Sequence, residues 1–246
     1  MHSCLPGDGR LVHPVLRQIH SEGAVVTQAE RLLLDEECDY LIKKACNVRR
    51  SEIEGADGLG KIVKIRTSST ASLPTNDSTV DCVAKRISTI AQMPQTHLEP
   101  LQITDYTHKQ RYDAHFDDSG IGPRRLKTVF AYLKDDGITD GKCGGSTAFY
   151  RLRRDGQPLR VYARKGDAVI WSNFLPDGRH NDRTLHAGES VTCPDARKTG
   201  LNAWFLDAPS GTPGKKSARR STSRRKKSRR STSRRKRLRR TMSWHE

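Results

Sequence analysis

An α+β fold is predicted for this sequence. Helices come first, then a run of short strands closing as a β-sandwich or barrel such as a jelly roll (a double-stranded β-helix), then a disordered basic tail. Three observations predict it. Two amphipathic stretches at helical spacing precede residue 98. From Leu101 onward, short β-prone runs alternate with glycine turns. From Pro213 the composition collapses to Arg, Lys, Ser and Thr, with little left to bury.

The elements follow in order. Residues 1–24 read as irregular, with Gly and Pro. Asp35 is the N-cap candidate of a first helix, with Glu36 and Glu37 in its opening turn, Cys38, Leu41, Ile42 and Ala45 at helical spacing, and Lys43 and Lys44 near its end. Cys38 and Cys46, eight apart, would share one face of it. A loop rich in Gly, Ser and Thr runs from Gly55 to Asn76. Val80, Val83, Ile87 and Ile90 mark a second helix started by Asp77 or Ser78. Strands are expected at Lys127–Leu133, Leu159–Ala163, Ala168–Trp171 and Leu201–Leu206, punctuated by Asp136-Gly137, Gly144-Gly145, Asp155-Gly156 and Gly166-Asp167. The organisation is thus an irregular segment (1–24), a helical support region (25–98), a core (99–208) and a tail (209–246).

The formal charge of +17 sits in the tail. From Pro213 to Glu246 there are 16 Lys/Arg against one acid, whereas the other 212 residues carry 29 basic and 27 acidic side chains. The body gives no electrostatic reason to bind nucleic acid. The tail repeats Arg219–Lys226 at 229–236, self-repels, and fits RNA or an acidic partner, with Ser221, Ser223, Ser231 and Ser233 open to phosphorylation. No apolar run reaches the length of a membrane span, and the first residues lack the pattern of a secretory signal. An intracellular protein, cytoplasmic or nuclear, is expected. The six cysteines show no C-x-x-C and no zinc spacing, so free buried or partly buried thiols are expected.

The chemistry is concentrated in Tyr112-Asp113-Ala114-His115-Phe116-Asp117 and Leu185-His186-Ala187-Gly188. His115 and Asp117 are two apart, which on a strand points both to one side. With His186 they make two imidazoles and one carboxylate, the facial triad of non-haem Fe(II) oxygenases. A second His-x-Asp, His180-Asn181-Asp182, follows Pro176-Asp177-Gly178-Arg179 and reads as a turn.

These residues resemble the prolyl 4-hydroxylase family of 2-oxoglutarate- and Fe(II)-dependent dioxygenases, from about Val25 to Asp207. The helix start at Asp35-Glu36-Glu37-Cys38, the loop Arg66-Thr67-Ser68, the spacing of Tyr106 and Tyr112 before His115, and Arg125 through Tyr132-Leu133 fall in the family's order. So do Gly144-Gly145-Ser146-Thr147-Ala148-Phe149, Lys165-Gly166-Asp167-Ala168, Asp182 through Gly188, and the closing Lys198–Trp204 pair. Lys109 stands where the family has Gly, and Tyr150 where it has Pro.

The resemblance implies Fe(II) on His115, Asp117 and His186, with 2-oxoglutarate as co-substrate, O2 as oxidant and L-ascorbate as rescuer of oxidised iron. It implies hydroxylation of peptidyl proline at C4 with release of succinate and CO2. Lys198 is the candidate cation for the far carboxylate of 2-oxoglutarate, because a buried unpaired charge is costly. Arg197 is its rival. Tyr106 and Tyr132 would donate hydroxyls to the same molecule, and Tyr112, Glu99, Arg125 and Trp204 would line the peptide groove. Two other readings stand beside this one. One is a same-fold oxygenase of lysine or a nucleobase, though the R-x5-R of nucleobase-repair enzymes is missing because Ala203 lies six after Arg197. The other is a non-catalytic scaffold tethered to nucleic acid by its tail.

Overall fold

The structure, a computed structural model, describes residues 1–45, 49–50, 53–54, 60–61, 66–118 and 123–210. Cys46, much of the first half of the Gly55–Asn76 loop and the basic tail from residue 211 lie outside these residues.

The chain begins with β1 (Val15–His20), β2 (Val26–Glu30) and α1 (Asp35–Lys44). Three two-residue strands follow, β3 (Arg49–Arg50), β4 (Ile53–Glu54) and β5 (Gly60–Lys61), then β6 (Ser69–Ser72) and α2 (Ser78–Ala91). The remainder is β7 (Gln102–Tyr106), β8 (Tyr112–His115), β9 (Arg125–Asp136), β10 (Thr147–Arg154) and β11 (Gln157–Val161). It ends with β12 (Ala168–Ser172), β13 (His186–Gly188) and β14 (Arg197–Leu206). An eight-stranded sheet in the order β1-β2-β12-β9-β14-β7-β6-β3 faces a four-stranded sheet, β11-β10-β13-β8. The fold is mostly β, two sheets and few helices, as in a jelly roll.

All four predicted strands are present. β9 explains why its stretch reads as an unbroken apolar run, because it is buried on both faces. Val129, Ala131 and Leu133 pack with Leu41, Val83 and Ile87 of the helices. Phe130 and Tyr132 point the other way, to Phe149, Leu159 and Trp171 between the sheets. α2 starts as expected, with the Asp77 carboxylate accepting from Thr79 N (3.0 Å) and Val80 N (3.1 Å). α1 starts at Asp35 with Leu34 as its N-cap, one residue before the expected cap. The Glu37 carboxylate takes the Leu34 N–H at 2.9 Å and a bidentate pair with Arg86 at 2.6 and 2.8 Å, so the cap is served from inside the helix. α1 ends at Lys44, before Cys46, and Cys38 lies on its buried face with Leu41.

Two expectations fail here. Residues 1–24 are not irregular throughout, because β1 pairs with β2 and extends the large sheet. As a mostly exposed edge strand, β1 carries no alternation that a sequence reading could detect. The cysteines are not free thiols either. Cys4 pairs with Cys82 and Cys143 with Cys193, while Cys38 alone is free among the described residues. The partners are 78 and 50 residues apart, so only the folded chain brings them together. Burial pushes the Cys38 thiol up to about 12, which keeps it unreactive.

The Cys4–Cys82 bridge, the Cys4 N–H to Glu37 contact (2.6 Å) and the Arg86 to His2 carbonyl contact (2.6 Å) fasten the N-terminal segment to α1 and α2. Cys82→Ser is expected to lower stability by about 2–4 kcal/mol, because it frees a long loop in the unfolded chain. The urea midpoint should fall in the variant and in reduced wild type, and an unchanged midpoint would refute this staple. No helix among the described residues is long and apolar enough to cross a membrane.

Candidate metal centre and its pocket

β8 and β13 lie side by side in the small sheet, with His115 opposite His186. His115 closes β8 and His186 opens β13, so both project at one end of the sheet. Asp117 lies two residues past the end of β8, where the chain bends, and its buried carboxylate meets the two rings. His115 Nε2 is 3.8 Å from Asp117 Oδ1, and His186 Nε2 is 3.7 Å from Asp117 Oδ2. The three donor atoms fall within 4.8 Å of one another.

Backbone carbonyls orient both rings. His115 Nδ1–H donates to Asp113 O and His186 Nδ1–H to Thr184 O, each at 2.9 Å, which leaves each Nε2 lone pair facing Asp117. Thr184 is held in turn by a short 3₁₀ turn (Asp182–Thr184) that Asn181 caps through the Arg183 N–H at 3.1 Å. Burial, then the His186 imidazole, push His115 down to about 3, so it stays neutral. Burial raises the Asp117 carboxyl, but the imidazoles of His186 and His115, the Thr128 hydroxyl and Arg125 outweigh it and hold the group below its ordinary value. A hydrogen-bond relay runs inward from this carboxylate. Thr128 donates to Asp117 Oδ2 at 2.6 Å, Asn173 to Thr128 at 3.1 Å, and Trp171 to Asn173 at 2.9 Å. Two imidazole nitrogens and one carboxylate oxygen on one side, with the other side open to a pocket, suit Fe(II).

Lys198 enters the same pocket from β14. Lys198, Gly200, Asn202 and Trp204 alternate with outward residues along that strand, so Lys198 and Trp204, six apart, share the inward face. A Cβ at Gly200 would overlap the Phe130 ring, so glycine makes room for that ring beside the lysine. The Lys198 side chain is 1 % exposed, lies 4.6 Å over the Tyr106 ring, and has no hydrogen bond or ion pair among the described residues. Burial lowers it to about 7, with Glu189 as the one charge pulling it back up. Arg197 points outward to a bidentate pair with Asp105 (2.8 and 2.9 Å), which removes it as the rival anchor.

The other expected site residues divide. Tyr106, Tyr112 and Trp204 line the pocket. Tyr112 stacks on His115 at 3.5 Å, and the buried Trp204 indole N–H has no partner among the described residues. Tyr132 stands one layer behind, its hydroxyl donating to Thr147 at 2.9 Å, and Thr147 faces the pocket instead. Glu99 and Arg125 do not line the pocket. They bind each other at 2.7 and 2.9 Å, with Arg125 4.0 Å over Trp204 and donating to the Asp117 carbonyl at 3.3 Å, so they brace the site from outside. Arg66, absent from the expected set, lines the pocket and lies 4.8 Å over the outer face of Tyr112. The Arg66-Thr67-Ser68 motif held that signal. A separate groove on the outer face of the large sheet carries no chemistry, since its carboxylates Asp39, Asp105 and Asp136 are all ion-paired.

The family model described as the 2OG-Fe(II) oxygenase superfamily matches residues 101–206, the stretch that carries the triad and Lys198. Probable prolyl 4-hydroxylase 11 of Arabidopsis thaliana is 34 % identical over 157 residues, covering 62 % of this chain and 54 % of that protein. Prolyl 4-hydroxylase 5 of the same plant is 30 % identical over 198 residues, covering 70 % and 65 %. Residues 101–206 thus match the 2OG-Fe(II) oxygenase superfamily, and the chain is similar to prolyl 4-hydroxylases. It spans about half to two thirds of the length of the curated relatives it matches. Among solved structures it resembles the viral collagen prolyl hydroxylase of Paramecium bursaria Chlorella virus-1 in complex with 2OG. That likeness has a TM-score of 0.57 and 25 % identity, over 74 % of this chain and 96 % of the other.

Lys109 stands where the resemblance implies a glycine, and its backbone conformation fits one. Lys109 sits at φ +65° in the tight turn closed by Gln110 N–H to Thr107 O (2.9 Å). Lys109→Gly is expected to stabilise the fold by about 0.5–1 kcal/mol, since a side chain is strained in the left-handed region. A thermal midpoint equal to or below wild type would contradict this.

Proposed function

We propose that this chain hydroxylates peptidyl proline at C4, consuming O2 and 2-oxoglutarate and releasing succinate and CO2. One observation carries the reading: the His115–Asp117–His186 donor set and the unpartnered Lys198 ammonium share one buried pocket. The names of the relatives and of the viral structure support the same substrate class.

His115, Asp117 and His186 would hold Fe(II), and Lys198 would pair with the far carboxylate of 2-oxoglutarate, with Tyr106 and Thr147 as neighbouring hydroxyls. Bound there, iron and 2-oxoglutarate supply the oxidation of a C–H bond by O2. This chain's own part is to orient and to dry. Phe130, Trp171 and Trp204 exclude water around the lysine and the metal ligands. The indole N–H of Trp204 is available to a peptide carbonyl at the pocket rim. L-ascorbate is the reductant that would restore iron after turnover without peptide. Purified protein given Fe(II), 2-oxoglutarate and a proline-rich peptide should add one oxygen to that peptide, read by mass spectrometry. Lysine peptides and methylated DNA, offered in parallel, test the rival substrates.

The two disulfides favour folding in an oxidising compartment over the cytoplasm or nucleus. For the tail we keep RNA or an acidic partner as a reading from charge alone, to be tested by salt-dependent binding of the full chain against a tail deletion.

A further inference from the structure

We infer that Asn173 is a positioning residue for the metal centre: its side-chain amide fixes the direction of the Thr128 hydroxyl and so holds the Asp117 carboxylate. This deepens the proposed function and rests on its metal centre, not on its substrate. Asn173 comes two residues after Trp171, and Trp171 pairs with Thr128 across β12 and β9. Residues two apart on an extended chain share a face, so the amide, the indole and the hydroxyl meet in one place. All three side chains are buried.

The direction of this network is set at its two ends. The Trp171 indole N–H can only donate, so Asn173 Oδ1 is its acceptor, at 2.9 Å. That turns Asn173 Nδ2 the other way, where its two protons go to Arg125 O (2.9 Å) and Thr128 Oγ1 (3.1 Å). A hydroxyl has one proton and accepts on its lone pairs. With Nδ2 donating into Thr128, that proton is aimed at Asp117 Oδ2, 2.6 Å away, and a carboxylate can only accept. A flipped amide would set N–H against the indole N–H and Oδ1 against the Arg125 carbonyl, so this arrangement alone satisfies every partner.

The main chain of the same residue reaches a second ligand. Asn173 N–H donates to Leu126 O and Asn173 O accepts from Asn181 N–H, each at 2.9 Å. Asn181 O accepts from the Thr184 N–H (3.0 Å) and hydroxyl (2.8 Å), and Thr184 O takes the His186 Nδ1–H. Asp117 and His186 thus hang from one buried position, the first by its side chain and the second by its backbone. A side-chain substitution cuts only the first branch. Without the amide, the Thr128 hydroxyl is free to turn its proton to a backbone carbonyl, and Asp117 loses a charge-assisted hydrogen bond.

The full chain, titrated with Mn(II) alone, tests this. Binding is read from the electron paramagnetic resonance signal of the free ion, with His186→Ala as the blank. In Asn173→Leu, which keeps similar bulk, Kd for Mn(II) should rise about ten- to a hundredfold. In a Thr128→Val background the same substitution should add less than about twofold, because the hydroxyl through which the amide acts is gone. Thr128→Ser, which keeps a hydroxyl, should restore the sensitivity. Should Asn173→Leu fail to fold, Asn173→Asp carries the test, since it keeps the shape and the Trp171 acceptor but draws the Thr128 proton away from Asp117. An unchanged Kd, or a full effect in the Thr128→Val background, would overturn the role while leaving the metal centre standing. If wild type binds no Mn(II), the metal centre falls and this role with it. If Mn(II) behaves as expected but wild type hydroxylates no proline peptide, the role stands and the proposed reaction falls.

Discussion

His186→Ala is expected to abolish peptide hydroxylation and to release iron from the folded protein. The ring supplies one of three donors that lie within 4.8 Å of one another, and no other His, Cys, Asp or Glu among the described residues joins that group. Two remaining donors hold a divalent ion weakly, and an alanine leaves the Thr184 carbonyl without its imidazole partner. Elemental analysis after desalting should find wild type loaded and the variant empty, and mass spectrometry should find no added oxygen. Retained activity would sink the triad. Thr128→Val should act more mildly, because Asp117 keeps its place and loses only the hydroxyl at 2.6 Å.

Lys198→Ala should raise KM for 2-oxoglutarate on the order of a hundredfold or more, the scale of leaving a buried carboxylate unpaired. The wild-type lysine also sets a pH dependence whose sign follows from its depressed value. Burial lowers the ammonium from 10.5 to about 7. Below about 7 it is charged and ready for the anion, so affinity for 2-oxoglutarate should be flat with pH. Above that, the ligand must first recharge the amine, and affinity should fall by up to about tenfold per pH unit. The empty protein should behave in the opposite sense. Between about 7 and 10.5 the unfolded chain holds the proton that the folded chain has lost, so stability gains from rising pH in that window. Titration of 2-oxoglutarate across pH 6 to 9 should show the break, and a level profile would remove Lys198 as the anchor.

The sequence disclosed the His115–Asp117–His186 cluster more readily than its surroundings. His115, Asp117 and His186 were legible because a metal needs particular donor types, and few arrangements of a chain supply them. Lys198 was separable from Arg197 by parity alone, since Trp204 six residues on shares its face. Tyr132 was not legible as standing behind the pocket, because it shares the site-facing side of β9 with Thr128 and Phe130, and parity does not say how far along the strand the pocket reaches. Glu99 and Arg125 looked like groove residues, yet opposite charges brought close in the fold bind each other first. The disulfides left no trace, because their partners meet only through tertiary packing. β1 was invisible for a related reason, its edge position leaving most side chains wet.

β9 is a shared wall. One side of it fixes the helices through Val129, Ala131 and Leu133, while Thr128 on the other steadies the Asp117 carboxylate. A substitution along β9 therefore reaches the helical layer and the candidate metal site together, so neither can be altered through this strand without disturbing the other.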